Sequence, residues 1–447
     1  MPQQPAGTKY TVDSIYHMFE QLLPVQVIEG LCARCLRRYY QRLFPPLVVL
    51  WGFVYQRLNP DHTCDAALSH LRGSCVPDKR MSESTAGYCK ARKRLPLGVA
   101  QGTLQASAQA LAVEAGEVGI WHGRRVCLLD GSTLRLPAES SLSEHYGVPK
   151  GKWGVGHWPT LRVVAGFDLW SGAVEAVEEG PYRESEIALA LRLVRRIPAG
   201  CVFLGDRYFG LYHLLQVLDH QRQDILARLN SDRAKRWFKP GMPTGTDLDV
   251  LWSPSQYDQL EPDLPAPAIP GRFLYVRIDT PGFRPLDLYL FTTLTDRQQF
   301  PLDDLVKLYA QRWNVELDLR HVKTTLHMDT LTSKSLDMVR KELTLGLLAY
   351  NLIRGWMALA AKQADLRPST LSLARCWRRI LDACRCWLSL PFDCVRLLHR
   401  LAACRLPVRL IPRHEPRGVW GKPQPYINLK GSRSQAIVLW LQCLQKC

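Results

Sequence analysis

The chain has 447 residues, 47% of them hydrophobic and 22% charged, enough apolar material for roughly two to four packed units with an ordinary polar share. Lys and Arg number 58 against 41 Asp and Glu, a net charge of +17. Such a surplus favours a polyanionic partner, because each neutralised phosphate releases counterions; a ribosomal or membrane-surface role would give the same balance. No run reads as long enough to span a bilayer: the most apolar one, Phe44–Tyr55, is short and contains Pro45 and Pro46, so a buried helix is expected there. Residues 1–8 lack the basic start and apolar stretch of a secretion signal, and a cytoplasmic location is expected. The 14 cysteines are scattered, and the lone pair Cys32 and Cys35 has no partner pair at zinc-finger spacing, so mostly buried thiols are expected.

Residues 1–122 read as helical, with apolar residues at helical spacing over 13–23, 31–43 and 102–115. The stretch Ser84–Pro96 sets Lys90, Arg92, Lys93 and Arg94 beside a possible helix, either a solvated face or a backbone-contacting one. From Arg124 the pattern changes to short strands. Val126–Asp130 and Thr133–Leu136 flank a turn at Gly131, and Thr160–Phe167 and Ala173–Val177 follow. An amphipathic helix over Glu184–Arg196, strand Cys201–Gly205, helix Gly210–His220 and strand Ile225–Leu229 come next. Consecutive strands followed by alternating helix and strand are the order of a ribonuclease-H-like α/β core, assigned here to 123–231 and 297–357. Residues 232–296 interrupt it as a β-rich insertion with strands over 273–278 and 286–293. Pro301 and Asp303 suit the first turn of a long helix from Leu302 past His321. Residues 358–447 read as a helical, Arg-rich C-terminal region, with nine arginines between Arg375 and Arg413.

Asp130 and Asp206 each end an apolar strand, and ligands in open α/β sheets gather beyond the carboxyl ends of the strands. Either residue alone also reads as a turn former. On the long helix, Tyr309, Arg312, Glu316 and Lys323 fall at about 0°, −60°, −20° and −40° at roughly 100° per residue, one narrow stripe that Arg320 and His327 extend. Two readings stand. The stripe is a solvated face with a Glu316–Arg320 pair, or it is a carboxylate among cations and a phenol at a reactive centre. Phosphodiester cleavage with two metal ions needs hard oxygen ligands and cations for the strand backbone, which matches the second reading.

At these residues the sequence resembles the insertion-sequence-four family of DDE transposases. Its Tyr-x2-Arg-x3-Glu-x6-Lys signature stands here as Tyr309, Arg312, Glu316 and Lys323. Residues 129–137, 206–209, 320–329, 339–343 and 349–353 also look like this family, so the likeness covers roughly 84–357. Tyr208 stands where many relatives have Gly.

The resemblance implies a metal-dependent DNA transposase in which Asp130, Asp206 and Glu316 bind two Mg²⁺ ions, with Mn²⁺ able to substitute. It implies nicking at the inverted-repeat ends of an element, a hairpin, and joining of freed 3′-hydroxyls to target DNA. Tyr309, Arg312 and Lys323 would hold phosphates, Arg320 would add a DNA contact, and Trp252 or Tyr289 would stack on a flipped base. The implied partners are double-stranded DNA, as element ends and target, and a second copy in a homodimer; no membrane is implied, and a nucleoid-associated place in the cytoplasm is. Two other readings are a ribonuclease-H-like nuclease without strand transfer and a catalytically silent DNA-binding derivative. The Lys150–Gly156 segment lacks P-loop spacing and leads into a strand, so it is read as a basic loop or turn.

Overall fold

A computed structural model describes residues 18–36, 43–74, 83–151, 154–279, 285–386 and 393–407. The fold is that of the larger of two compact units, Met1–Val276 with Leu288–Pro407; the other, Arg277–Asp287 with Val408–Cys447, lies almost wholly outside the described residues. So do the first residues of the expected N-terminal helix and the tail containing Arg409 and Arg413.

The chain begins with helices α1 Val25–Cys35, α2 Pro46–Leu58, α3 Cys64–Ser74, α4 Ala86–Arg94 and α5 Leu97–Ala115. Pro46 opens α2 where its missing N–H costs nothing, and Val48 through Leu58 are all buried, as its apolar sequence requires. The basic stretch forms α4, but only Lys90, Lys93 and Arg94 face solvent. Arg92 is buried, its guanidinium 4.0 Å from the Phe53 ring centroid.

Eight strands form one sheet: β1 Arg125–Arg135, β2 Thr160–Asp168, β3 Val174–Pro181, β4 Cys201–Gly205, β5 Asp224–Arg228, β6 Thr246–Trp252, β7 Ile269–Ile278 and β8 Leu286–Thr292. Their spatial order is β3-β2-β1-β4-β5-β8-β7-β6. β2 runs antiparallel to β1 and β3, β4 is parallel to β1 and to β5, and β8 returns antiparallel to β5. Strands β6–β8 come from the expected insertion, and they continue the sheet instead of standing apart from it. β6 falls in a part of the insertion where no strand was expected.

Helices α6 Ser140–Tyr146, α7 Glu186–Val194, α8 Tyr212–His220 and α9 Ser231–Ala234 lie between strands. α10 Leu302–Ala310, α11 Trp313–Arg320, α12 Leu336–Gln363, α13 Leu373–Cys386 and α14 Cys394–Ala402 follow the sheet. Period-two alternation divides the core. Val126 and Leu128 of β1 join the N-terminal helices and α10–α14 in one buried cluster, whereas Cys127 and Leu129 join α7 and α8 in the other. The result is a mixed α/β fold with helices on both faces of the sheet.

Three expectations change. β1 is one continuous strand, not two around a turn: Asp130 and Gly131 keep their register against Ala165 and Val164 of β2. The long helix after Leu302 is broken. The N–H groups of Gln311, Arg312, Asn314 and Val315 bond three residues back, a tightening that ends α10, and His321–Thr325 forms a π turn after α11. Finally, α12 is long and apolar enough to cross a membrane by length and composition, contrary to the expectation that no stretch is. Its most apolar window is 94% buried, as befits a central helix. Asn351 on α12 donates to Val174 O (2.9 Å) and accepts from Val174 N (2.8 Å), occupying backbone groups of edge strand β3.

Candidate active site

The two aspartates meet because of strand register. β1 and β4 are parallel with Leu128 opposite Leu204, so two residues further on Asp130 comes level with Asp206, just where β4 ends. Asp130 shares the parity of Val126 and Leu128 and therefore points to the face carrying α10 and α11. Its Oδ1 accepts from Gly131 N at 2.8 Å, and Asp206 Oδ1 accepts from Tyr208 N at 2.8 Å, closing the turn after β4. The other oxygen of each has no hydrogen-bond partner among the described residues.

Glu316 approaches from α11 without joining the two aspartates. Its Oε1 accepts from Arg312 Nη2 at 2.8 Å; the carboxylate side chain is 45% exposed and that of Arg312 only 12%. Burial pushes the Asp130 carboxyl up to about 6; the Gly131 N–H and Arg312 oppose that rise, and the charges of Asp206 and Glu316 reinforce it. Asp130 therefore feels both other carboxylates. Among the described residues, no three His, Cys, Asp or Glu side chains are gathered closely enough to hold one ion. Glu316 is the displaced member, held on Arg312.

Around the carboxylates lie donors. Tyr309 is buried, and its phenol is pushed up to about 12 by burial, against the pull of Arg312 and Arg228 and with Asp206 nearby. Lys323, in the π turn, donates from Nζ to Ser132 Oγ at 3.1 Å, two residues beyond Asp130. Buried Asp318 accepts from Tyr350 Oη at 3.1 Å and pairs with Arg354, which fixes α11 on α12.

Comparison with known proteins assigns the chain. The family described as "Transposase DDE domain" matches residues 121–352, just over half the chain and the span that carries all three carboxylates and Lys323. The chain belongs to the DDE transposases of the insertion-sequence-four family. The transposase InsG of insertion sequence element IS4 from Escherichia coli K12 is 26% identical over 408 residues, 86% of this chain and 87% of that protein. The putative transposase InsZ of the same organism is 26% identical over 210 residues, 45% of this chain and 62% of its own. Among solved structures, a piggyBac transposase synaptic complex with hairpin DNA aligns at a TM-score of 0.41 and 10% identity, covering 92% of this chain and 89% of that one. Likeness at that level carries no weight for the site.

The transposase thus places Asp130, Asp206, Glu316, Tyr309, Arg312 and Lys323 around the carboxyl ends of the central strands β1 and β4. Arg320 is not among them. It lines a different cavity, of about 390 Å³, with Trp170, Asn314, His321 and Arg354. Glu316 pairs with Arg312 across the junction of α10 and α11, not with Arg320 on its own helix. His327 lies beyond the π turn at φ +51°, packed edge-on to His62.

Trp252 is 4% exposed and edge-on to Trp237 and Phe291, at 5.3 and 4.7 Å between centroids. It borders an open cleft of about 660 Å³ with Ser185, Arg233, Arg236 and Trp237. Tyr289 stacks on Tyr275 at 5.5 Å in the same aromatic cluster. Three neighbours were not singled out from the sequence: Arg228 at the end of β5, Ser132, and exposed Trp313 beside Arg312. Only Trp313 carried a local signal, an aromatic between two residues of the signature.

Proposed function

We propose that this transposase cuts at the inverted-repeat ends of its element and joins the freed 3′-hydroxyls to target DNA, with Asp130, Asp206 and Glu316 as its metal-binding carboxylates. The observation that carries the reading is the meeting of Asp130 and Asp206 at the carboxyl ends of β1 and β4, where half-buried Asp130 feels the charges of both Asp206 and Glu316. Hard oxygen donors suit divalent cations. One oxygen each of Asp130, Asp206 and Glu316 has no hydrogen-bond partner among the described residues, so the donor set fits Mg²⁺, or Mn²⁺ in its place. Two such ions would supply Lewis acidity at the scissile phosphate.

The core is read as ribonuclease-H-like, supported by the order β3-β2-β1-β4-β5 with only β2 reversed. The catalytic domain is assigned to 123–231 and 297–357, with 1–122 and 358–447 as flanking regions and 232–296 as the segment that widens the sheet. Arg312 and Lys323 hold the phosphates on either side of the cut, Tyr309 donates its phenolic proton to one of them, and Arg228 adds charge from β5. Glu316 must leave Arg312 to join Asp130, and its exposed side chain is free to turn. Bases extruded at the cut would enter the cleft at Trp252, whose rim carries Arg233 and Arg236. Element ends and target are double-stranded DNA, two copies act together as a homodimer, and the site of action is the cytoplasmic nucleoid.

The test uses the full chain, its element ends and a pre-cut end with Mg²⁺ or Mn²⁺. Wild type is expected to cut and to join, and Glu316→Gln to bind ends and do neither. Cutting without joining would turn the reading to a nuclease. Binding without cutting by wild type would turn it to a silent DNA-binding derivative.

A further inference from the structure

A fourth carboxylate approaches the centre from the opposite face of the sheet. Glu186 opens α7, where Ser185 caps the helix by accepting from Ala188 N at 3.1 Å. Gly131 follows Asp130 and, by parity, turns its missing side chain toward α7. A Cβ there would stand 2.5 Å from Glu186 Cδ and 2.7 Å from its Oε2. No residue with a side chain fits at 131 while Glu186 keeps this place. The glycine opens a window in the strand, and the carboxylate fills it.

The carboxylate is aimed. Arg162, on β2 opposite Thr133, holds Glu186 Oε1 at 3.1 Å, so Oε2 is the oxygen left against Gly131, and it has no hydrogen-bond partner among the described residues. Burial pushes the Glu186 carboxyl up; Arg162 pulls it down and the nearby Asp206 charge pushes it up again. Glu186 and Asp206 are therefore electrostatic neighbours, an arrangement that an adjoining cation would relieve.

Resting on the metal-dependent reading above, we propose that Glu186, oriented by Arg162 and admitted by Gly131, is a positioning carboxylate of the cation site, acting beside Asp206 from the far side of the sheet. Its role is to add negative field and an acceptor at the edge of the site. Side chains placed this way around a metal centre change affinity by about 10- to 100-fold when removed.

The experiment is Mn²⁺ binding to the full chain without DNA, followed by calorimetry, with end cleavage as a second readout. Glu186→Gln is expected to weaken Mn²⁺ binding at least about tenfold and to shift the Mn²⁺ concentration needed for half-maximal cleavage upward by a similar factor, with Glu186→Asp intermediate. Gly131→Ala, which displaces the carboxylate without removing it, is expected to weaken binding in the same direction and answers the question if Glu186→Gln does not fold. Unchanged Mn²⁺ affinity in a folded Glu186→Gln or Gly131→Ala protein overturns the proposal. The two readings part at Glu316→Gln. If that variant loses Mn²⁺ while Glu186→Gln keeps it, only the role of Glu186 falls; if wild type binds no Mn²⁺, the metal-dependent reading falls with it.

Discussion

Lys323 Nζ donates to Ser132 Oγ at 3.1 Å, which ties the π turn behind the Glu316 helix to the strand that carries Asp130. The contact spans 191 residues of sequence and sets a cation two positions from a candidate metal ligand. A π turn is uncommon and often marks a functional position, and here it turns Lys323 back toward the sheet. Lys323→Ala should lower end cleavage by at least about tenfold, as for loss of a positioned charge, with unfolding midpoints close to wild type. Ser132→Ala should be milder, since the lysine keeps its charge. Parallel cleavage and urea-unfolding curves check both, and a full-rate Lys323→Ala protein would remove this lysine from the site.

Asp130 should make the metal-free protein sensitive to pH. Its carboxyl stands at about 6 in the folded chain against an ordinary value near 4, a difference worth about 2–3 kcal/mol. The folded state holds that proton more tightly than the unfolded one. The resulting stability is fully present below about pH 4 and is lost as pH rises through about 6. In chelator, Asp130→Asn should therefore be more stable than wild type at pH 7–8, by about 2 kcal/mol, with the gap closing toward pH 4. Denaturant melts across that range check it. Added Mg²⁺ should stabilise wild type and leave Asp130→Asn nearly unmoved.

Arg312 and Arg320 should behave differently although the signature helix carries both. Arg312 holds Glu316 and faces Asp130; Arg320 lines the cavity against Trp170 and Arg354. Arg312→Ala should cost cleavage at least about a hundredfold, the scale of losing an active-site cation. Arg320→Ala should stay within a few-fold of wild type. Equal losses in single-turnover cleavage would restore the uniform helical stripe.

Arg57 and Glu342 form a pair 2% exposed on each side, bridging α2 and α12 at 2.8 Å. Glu342 also accepts from the N–H groups of Thr332 and Ser333, at 3.1 and 2.8 Å. Glu342→Ala strands a buried guanidinium and should cost about 3–5 kcal/mol. The double change Arg57→Met with Glu342→Met should recover most of that loss. Chemical denaturation of the three proteins decides it: a double variant no better than Glu342→Ala would assign the cost to the Thr332–Ser333 turn.

Much of the architecture was legible because local chemistry set it. The apolar strands ending at Asp130 and Asp206, the helix between them, and the spacing of Tyr309, Arg312, Glu316 and Lys323 are properties of neighbouring residues. They were enough to reach the family and an α/β core, and to single out three carboxylates as candidates. What only the folded chain decided was register and direction. Asp130 meets Asp206 because β1 and β4 pair in parallel with Leu128 against Leu204, and β6–β8 extend the sheet because β8 pairs with β5. The Glu186 carboxylate of α7 packs against β1 because Gly131 leaves room for it. Each of these depends on hydrogen bonds and contacts between segments tens of residues apart, which periodicity along one segment cannot encode.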